Sequence, residues 1–225
     1  AHGVAEKVAA KARRIGAHLL EADPADVELA DGRATIRGTD VSVTWEEIVA
    51  VAFEGKVPEG EERGMDAGHV FESGGLNFPF GAHLAVVEVD GETGAVRLEQ
   101  MWAVDDAGRI VNPMLAAGQR HGGLAQGIGQ ALWEEIRYDQ DGNLVTATLM
   151  DYLLPAPGQL PSFRLEETCT PTPTNPLGAK GIGEAGTIGS TPAVVNAVAD
   201  ALGLDELQIP LRPEQLWQAI KGGTT

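Results

Sequence analysis

Apolar residues in the first part of the chain follow two different periods. Between residues 2 and 22 they recur every three or four positions, with basic residues on the opposite side, which predicts an amphipathic helix. Strand-like runs follow at residues 27–29 and 34–37, and Asp31-Gly32 between them is typical of a tight hairpin turn. Thr44 lies three residues before a glutamate, a spacing that predicts a capping box and a second helix to about residue 53.

The rest of the chain alternates between strand-like and helix-like patterns. Thr191 and Pro192 are interpreted as the N-cap and the first residue of a helix. The predicted strands cover residues 82–89, 95–104, 144–149 and 163–168, and the predicted helices cover residues 114–136, 191–202 and 213–220. Because period-2 runs alternate with period-3.6 runs, the sequence predicts an α+β fold in which mixed sheets pack against helices.

One stretch without periodicity divides the chain. Residues 54–68 are rich in glycine, proline and glutamate, which predicts an exposed connection. We therefore expect an N-terminal α+β subdomain at residues 1–64 and a second subdomain at residues 65–225.

Composition and charge exclude several classes of protein. The 33 acidic and 16 basic residues give a net charge of −17, which disfavours binding to nucleic acid or to anionic lipid. Cys169 is the one cysteine, so an intrachain disulfide, a zinc ribbon or an iron–sulfur site made by this chain alone is excluded. The sequence contains no apolar run long enough for a membrane span, and we expect a cytoplasmic protein. The helical pattern begins directly after Ala1, as expected for a processed or excised piece of a larger protein.

The predicted helix at residues 114–136 contains an unusual number of glycines. Four of them, at positions 122, 123, 127 and 129, lie beside an apolar stripe that repeats every four residues. Each interior glycine costs a helix about 0.8–1 kcal/mol relative to alanine, so another contact must offset them. Either another backbone or a bound molecule approaches the glycines, where Gln119 and Gln126 offer amide groups, or the helix packs tightly on a sheet.

A second glycine-rich segment covers residues 175–189. It contains the pattern G-x-G-x-x-G, but the prolines before it rule out the buried strand that a dinucleotide-binding fingerprint requires. No serine or threonine directly follows Lys180, so the segment is not a P-loop either. From the residues alone, Glu184 is either a catalytic carboxylate on a glycine-walled turn or a solvated loop residue.

Two adjacent aspartates also permit two interpretations. Asp105 and Asp106 could act as an acid–base pair. The Ala107-Gly108 dipeptide after them instead favours a turn in which the carboxylates cap backbone amides.

Six segments, in order along the chain, are similar to one known family. They cover residues 80–90, 110–113, 118–129, 150–153, 178–192 and 209–214. The chain resembles the C-terminal portion of the molybdenum-binding large subunit of the xanthine dehydrogenase and aldehyde oxidase family, most of all its aerobic carbon monoxide dehydrogenase branch. The resemblance implies the fold of the second molybdopterin-binding domain of molybdenum hydroxylases.

The resemblance also implies a site and a reaction. Gln119 matches the glutamine that binds molybdopterin cytosine dinucleotide, and His121 and Gly122 follow it in the same cofactor-binding motif. The run Lys180, Gly181, Ile182 and Gly183 matches backbone that lies along the cofactor, and Glu184 matches the catalytic general base. No side chain of this chain is expected to ligate the metal.

Further expectations concern the assembled enzyme. The family implies an N-terminal half of the same subunit, partner subunits that carry FAD and iron–sulfur clusters, and a small substrate such as carbon monoxide, an aldehyde or an N-heterocycle. We expect the isolated chain to be inactive, because it offers only one side of the pocket. A non-catalytic binding or assembly module that keeps the fold without the metal is the alternative.

Two positions depart from the family pattern. Arg120 stands where valine is usual, and it could contact a phosphate or merely face solvent. Ala107 stands where a cysteine is common.

Overall fold

A computed structural model describes residues 1–222 and divides the chain into two compact units. The first unit is Ala1–Ser73, and the second begins at Gly74. The predicted division between residues 64 and 65 stays a prediction about domains, because compactness alone does not show that a unit folds independently.

The first unit packs two helices on a small antiparallel sheet. Its elements are α1 (His2–Leu19), β1 (Val27–Ala30), β2 (Arg33–Ile36), β3 (Ser42–Thr44) and α2 (Trp45–Glu54). The strands are hydrogen-bonded in the order β1-β2-β3. Thr44 and Glu47 form the predicted capping box at the start of α2. Ile15 of α1 and Ile48 of α2 are fully buried in one core cluster with Ala34 of β2.

The second unit packs helices on a mixed sheet. Its elements are β4 (Phe80–Val89), β5 (Val96–Asp106), α3 (Pro113–Leu132), β6 (Arg164–Thr168), α4 (Ala185–Leu202) and α5 (Pro213–Gly222). Strands β4 and β5 form the predicted antiparallel hairpin, and β6 pairs with β5 in parallel. The predicted α+β class with mixed sheets is therefore confirmed.

Helix α3 carries the predicted apolar stripe but is shorter than predicted. Leu124, Ile128 and Leu132 are buried in the core of the second unit. The helix ends at Leu132, and Ile136, which the pattern included, is 62% exposed. The amides of Trp133 and Glu134 both donate to the carbonyl of Gly129, which closes the last turn there.

The glycines of α3 allow the backbone of α4 to approach. A Cβ added at Gly123 would lie 3.0 Å from the Cα of Gly186, and one added at Gly127 would lie 2.0 Å from Ser190 Oγ. Of the two interpretations of the glycine-rich helix, the structure therefore supports contact with another backbone, which belongs to a helix and not to a sheet.

Helix α4 begins two turns earlier than the sequence predicted. It starts at Ala185, so Pro192 lies inside the helix and Thr191 is not its N-cap. The Thr191 hydroxyl instead donates to the carbonyl of Gly127 at 3.0 Å. The prediction was wrong because contact with α3 stabilises the earlier turns, and this contact overrides the local start signal.

The predicted strand at residues 144–149 does not form. Within the described residues, Leu144 makes only an isolated bridge to Tyr138, and the amide of Val145 donates to the carbonyl of Arg137. Asp139 accepts hydrogen bonds from the amides of Asp141 and Asn143, which folds the intervening residues into a tight turn. Neither of the two sheets within residues 1–222 includes this short pairing, so residues 144–149 do not extend into a strand.

Two buried ion pairs attach the end of β5 to other parts of the second unit. Asp105 Oδ2 lies 2.8 Å from Arg120 Nε, and Asp106 Oδ1 lies 2.9 Å from Lys180 Nζ. Arg120 therefore faces neither solvent nor a phosphate: it is buried and holds α3 to the sheet. The amide of Gly108 also donates to Asp106, which is the capping role that the turn pattern predicted.

Both aspartates are held in their charged form. Burial by itself would raise the pKa of Asp106, but the hydrogen bonds from Lys180 and from the amide of Gly108 lower it well below its usual range. Burial opposes ionisation of Asp105 in the same way, and hydrogen bonds from His83 and Arg120 lower its pKa.

Across residues 1–222, no helix is both long enough and apolar enough to cross a bilayer.

We predict that Gly127→Ala destabilises the chain by about 1–3 kcal/mol, the usual cost of overpacking. The new Cβ would lie 2.9 Å from the carbonyl oxygen of Thr187 as well as against Ser190, so the two helices must separate. Gly118→Ala is the control, because a Cβ there meets nothing within 4 Å and should stabilise α3 by about 0.5–1 kcal/mol. Urea unfolding measures both changes, and equal effects of the two substitutions would contradict the prediction.

We predict that Asp106→Asn lowers the free energy of unfolding by about 3–5 kcal/mol at pH 7, because it leaves the Lys180 ammonium buried without its partner. The pKa of Asp106 is lowered on folding, so its contribution is fully present above the unfolded pKa of about 4 and is lost as pH falls toward the folded pKa. The difference between wild type and variant should therefore narrow between pH 5 and pH 2.5 in urea titrations. A difference in the free energy of unfolding that stays constant from pH 5 to pH 2.5 would contradict the view that the ionised Asp106 carboxylate supplies this stability.

Candidate functional site

A groove in the second unit brings together the two segments that the sequence analysis singled out. It has a volume of about 350 Å³ and lies between the start of α3 and the segment that precedes α4. Its lining comprises Ala107, Arg109, Ile110, Val111, Asn112, Leu115, Ala116, Gln119, Ala179, Lys180, Ile182 and Gly183. Gln119 and three of the four residues predicted at positions 180–183 thus face one space.

Gln119 joins the two walls of this groove directly. Its Nε2 donates to the carbonyl oxygen of Gly183 at 2.7 Å, across 64 residues of sequence. The carboxamide keeps Oε1 as an acceptor and one further N–H as a donor. Gln119 is exposed on α3, so these remaining groups are accessible to a molecule in the groove.

The start of α3 is fixed by a local signal. Asn112 is the N-cap, and its Oδ1 accepts from the amide of Leu115 at 3.1 Å. Pro113 occupies the first turn, where its missing N–H costs nothing. The helix therefore begins at one edge of the groove and presents Gln119 two turns later.

The opposite wall is an irregular segment that the turn after β5 holds in place. The amide of Lys180 donates to the carbonyl of Ala107 at 2.8 Å, and the amide of Arg109 donates to the carbonyl of Gly178 at 3.1 Å. Gly178 has a φ of +69°, which favours glycine, and a Cβ there would lie 2.7 Å from Pro171. The Lys180 side chain turns away to Asp106, so this residue contributes its main chain to the groove.

Several hydrogen-bond donors at the groove have no partner within the described chain. The amides of Ile182, Gly183 and Glu184 donate to none of residues 1–222. The Arg109 guanidinium is exposed and forms no ion pair with that part of the protein. In a chain with a net charge of −17, such a set of donors favours an anionic or acceptor-rich molecule.

Glu184 lies directly after Gly183, at the N-terminus of α4. Its carbonyl accepts from the amide of Ile188 at 3.0 Å, while its side chain is exposed and caps no amide of the helix. The Gln119–Gly183 hydrogen bond is therefore one residue away from this carboxylate. No measurement of the structure tests whether Glu184 acts as a base, and that assignment stays a prediction.

The remaining predicted residues lie outside the lining of the groove. His121 Nδ1 lies 2.8 Å from the carbonyl of Ala117, one turn back on α3, and its ring centroid is 6.0 Å from that of Phe163. Gly122 is exposed, and a Cβ there would meet nothing within 4 Å. Gly181 donates its amide to Asn77 Oδ1 at 3.3 Å and likewise faces open space. Their predicted contacts with a cofactor stay predictions.

The sequence analysis missed Arg109 and Asn77. Arg109 follows the turn at Ala107-Gly108, and this proximity to a glycine turn is the signal that could have marked it. Asn77 lies in an irregular stretch before β4, and nothing in its sequence context indicates that it contacts Gly181.

Most of the chain is similar to known proteins. Residues 1–161 match the family described as the molybdopterin cofactor-binding domain. The chain is 37% identical over 221 residues to the carbon monoxide dehydrogenase large chain of Hydrogenophaga pseudoflava, an alignment that covers 96% of this chain and 27% of that protein. It is 38% identical over 233 residues to the 6-hydroxypseudooxynicotine dehydrogenase complex subunit gamma of Paenarthrobacter nicotinovorans, covering 99% of this chain and 29% of that protein.

The fold of this chain also matches a solved structure. The fold matches that of a Cu,Mo-CO dehydrogenase in its carbon monoxide reduced state with a TM-score of 0.89 and 35% identity, covering 97% of this chain and 28% of that chain. The chain thus spans less than a third of the length of these relatives. The match over most of its residues, together with the fold, confirms the resemblance found in the sequence: this chain belongs to the molybdopterin cofactor-binding domain family.

Proposed function

We propose that this chain forms one wall of the active site of a molybdenum hydroxylase, where it binds molybdopterin cytosine dinucleotide and supplies Glu184 as the general base. The observation that carries the proposal is the hydrogen bond from Gln119 Nε2 to the carbonyl of Gly183. It joins the two segments that resemble cofactor-binding motifs and leaves Glu184 at their junction. Membership of the family supports the cofactor class.

The donor set of the groove fits such a cofactor. A pterin presents ring nitrogens and a carbonyl, which match the free carboxamide groups of Gln119 and the free amides of Ile182 and Gly183. A dinucleotide form of the cofactor adds a pyrophosphate. The Arg109 guanidinium, which forms no ion pair within residues 1–222, offers a positive charge for it. Gly181 and Gly183 have no neighbour within 4 Å of an added Cβ, so the backbone is open to close approach.

The chain's own residues have three tasks in the proposed reaction. Gln119 and the amides of Ile182 and Gly183 bind and orient the cofactor. Glu184 accepts a proton at a carboxylate oxygen as the substrate is oxidised, which is the role of a general base. When bound, the cofactor supplies the molybdenum centre that takes up the electrons removed from the substrate.

The rest of the enzyme belongs to the proposal as well. We infer an N-terminal half of the subunit that completes the pocket, and partner subunits that carry FAD and iron–sulfur clusters. The two relatives differ in the substrate their names give, carbon monoxide in one and 6-hydroxypseudooxynicotine in the other. The substrate is therefore a small molecule of the carbon monoxide, aldehyde or N-heterocycle class, selected by residues outside this chain.

We predict that Glu184→Gln in the complete enzyme cuts turnover by about 10²–10⁴ while the molybdenum content stays at the wild-type level. Glutamine retains the size of the side chain but cannot accept the proton. Steady-state turnover and metal analysis of the same preparation check the two parts of this prediction.

The matched control for this experiment is Glu206→Gln. Glu206 is an exposed carboxylate of the same unit that lies outside the groove, so its substitution should leave turnover unchanged. A fully loaded Glu184→Gln enzyme with wild-type turnover would exclude Glu184 as the base. A complete wild-type subunit without molybdenum would instead favour the non-catalytic binding or assembly module.

We also predict that the isolated 225-residue chain retains little molybdenum. The groove is open on one side, and large apolar side chains of the second unit are exposed, including Leu76 at 86%, Met114 at 77% and Met150 at 87%. Exposed apolar surface of this kind favours association with another protein surface, which would complete the pocket. Metal analysis of the purified chain checks this, and near-stoichiometric molybdenum would refute it.

A further inference from the structure

Asp106 is the last residue of β5, and its fully buried carboxylate joins three parts of the second unit. Oδ1 accepts from Lys180 Nζ at 2.9 Å and from the amide of Gly108 at 2.9 Å. Oδ2 accepts from Thr168 Oγ1, at the end of β6, at 2.9 Å. One side chain therefore connects the parallel strand, the turn after β5 and the segment before α4.

The segment that Asp106 holds is the wall of the groove opposite α3. It is anchored at its start, where Lys180 contacts Asp106 through its side chain and Ala107 through its amide. It is anchored at its end, where the Gly183 carbonyl accepts from Gln119. Gly183 follows Lys180 by only three residues, a reach of at most about 11 Å, so the position of Lys180 restricts where Gly183 can lie.

The Lys180 ammonium contacts Asp106 and Phe80. Its side chain is 8% exposed, and Nζ lies 4.3 Å from the ring centroid of Phe80 as well as beside Asp106. A bound molecule in the groove therefore meets the main chain of this residue and not its charge. The ion pair acts on the groove only by fixing the backbone.

The other wall of the groove is tied to the same strand end. Asp105 binds Arg120, the residue after Gln119 on α3, with both side chains buried. Because successive side chains of a strand point to opposite faces, two adjacent aspartates can reach two different elements. The end of β5 is thus attached both to the part of α3 that carries Gln119 and to the 180–183 segment.

We propose that Asp106 is a positioning residue of the cofactor groove. By holding Lys180, it sets the place of residues 180–183 against Gln119, and so the place of the Glu184 carboxylate that follows them. The identity of the molecule in the groove rests on the function proposed above. The restraint that Asp106 places on residues 180–183 is independent of that function.

If the Asp106–Lys180 pair served only the stability of the fold, a variant that restores stability should also restore cofactor binding. Replacing a buried ion pair by neutral side chains is often neutral for stability, whereas removing one partner is costly. The double substitution Asp106→Asn/Lys180→Met leaves no buried charge. The asparagine oxygen can still accept from the amide of Gly108, and its NH2 group can donate to the Thr168 hydroxyl in place of the second carboxylate oxygen. It should therefore restore the stability that Asp106→Asn loses without restoring the anchor.

The test uses the complete subunit that carries this chain. Hydrogen exchange is measured at the amides of Arg109 and Lys180, which bridge the segment and the turn, and molybdenum and nucleotide content are measured per subunit. In the double variant we expect an unfolding midpoint near wild type, exchange at both amides at least tenfold faster, and cofactor content at least threefold lower. Glu88→Gln is the control, since it breaks the exposed Glu88–Arg97 pair on the β4–β5 hairpin and should change none of these.

Three outcomes overturn the proposal. Wild-type exchange at both amides in the double variant means that the pair does not restrain the segment. Faster exchange with unchanged cofactor content means that the restraint has no effect on binding. Failure of both the single and the double variant to fold means that the pair serves the fold as a whole. If the wild-type subunit holds no molybdenum, the proposed function fails, and the exchange rates still decide whether Asp106 restrains the segment.

Discussion

The close contact between α3 and α4 is the constraint on which the second unit depends. Gly123 and Gly127 remove the side chains that would keep the helices apart, and Gly186 does the same from α4. Helices packed at this distance fix the relative position of everything attached to their ends. The segment before α4 is therefore brought to the side of α3 that carries Gln119, and the hydrogen bond between Gln119 and Gly183 follows from that approach.

The buried charges add orientation to this contact. Asp105 and Asp106 are both desolvated, and each is compensated by one cation and by further hydrogen bonds. In a low-dielectric interior such groups have few alternative partners, so the geometry that satisfies them is strongly preferred. The glycine contact brings the walls of the groove together, and the ion pairs decide how the walls face each other.

The groove itself is shaped mainly by backbone. Its donors are main-chain amides, one carboxamide and one guanidinium, and it contains no cluster of metal-ligating side chains within residues 1–222. This composition suits the binding of a large, acceptor-rich cofactor that brings its own metal. Gly183 in the lining of the groove keeps the backbone open, since a Cβ added there would meet nothing within 4 Å.

The sequence alone determined the secondary structure wherever local signals agreed with packing. The capping box at Thr44, the β4–β5 hairpin and the stripe of α3 as far as Leu132 formed as predicted, because periodicity and turn chemistry act over a few residues. Membership of the family was also readable, because six segments kept their order along the chain. The same local signals gave a wrong prediction at Thr191, where an N-cap pattern lies inside a helix. They also gave a wrong prediction at residues 144–149, which belong to neither sheet of residues 1–222.

The tertiary structure alone decided which residues meet. Nothing near Arg120 in the sequence indicates that it is buried against Asp105, and nothing near Lys180 indicates that its ammonium leaves the groove for Asp106. The sequence gives the charge of each side chain. The ion-pair partner of that side chain depends on contacts between residues far apart in the chain. For the same reason, the sequence indicated Gln119 and Gly183 only as separate candidates. The packing of α3 on α4 places Gln119 Nε2 2.7 Å from the carbonyl oxygen of Gly183.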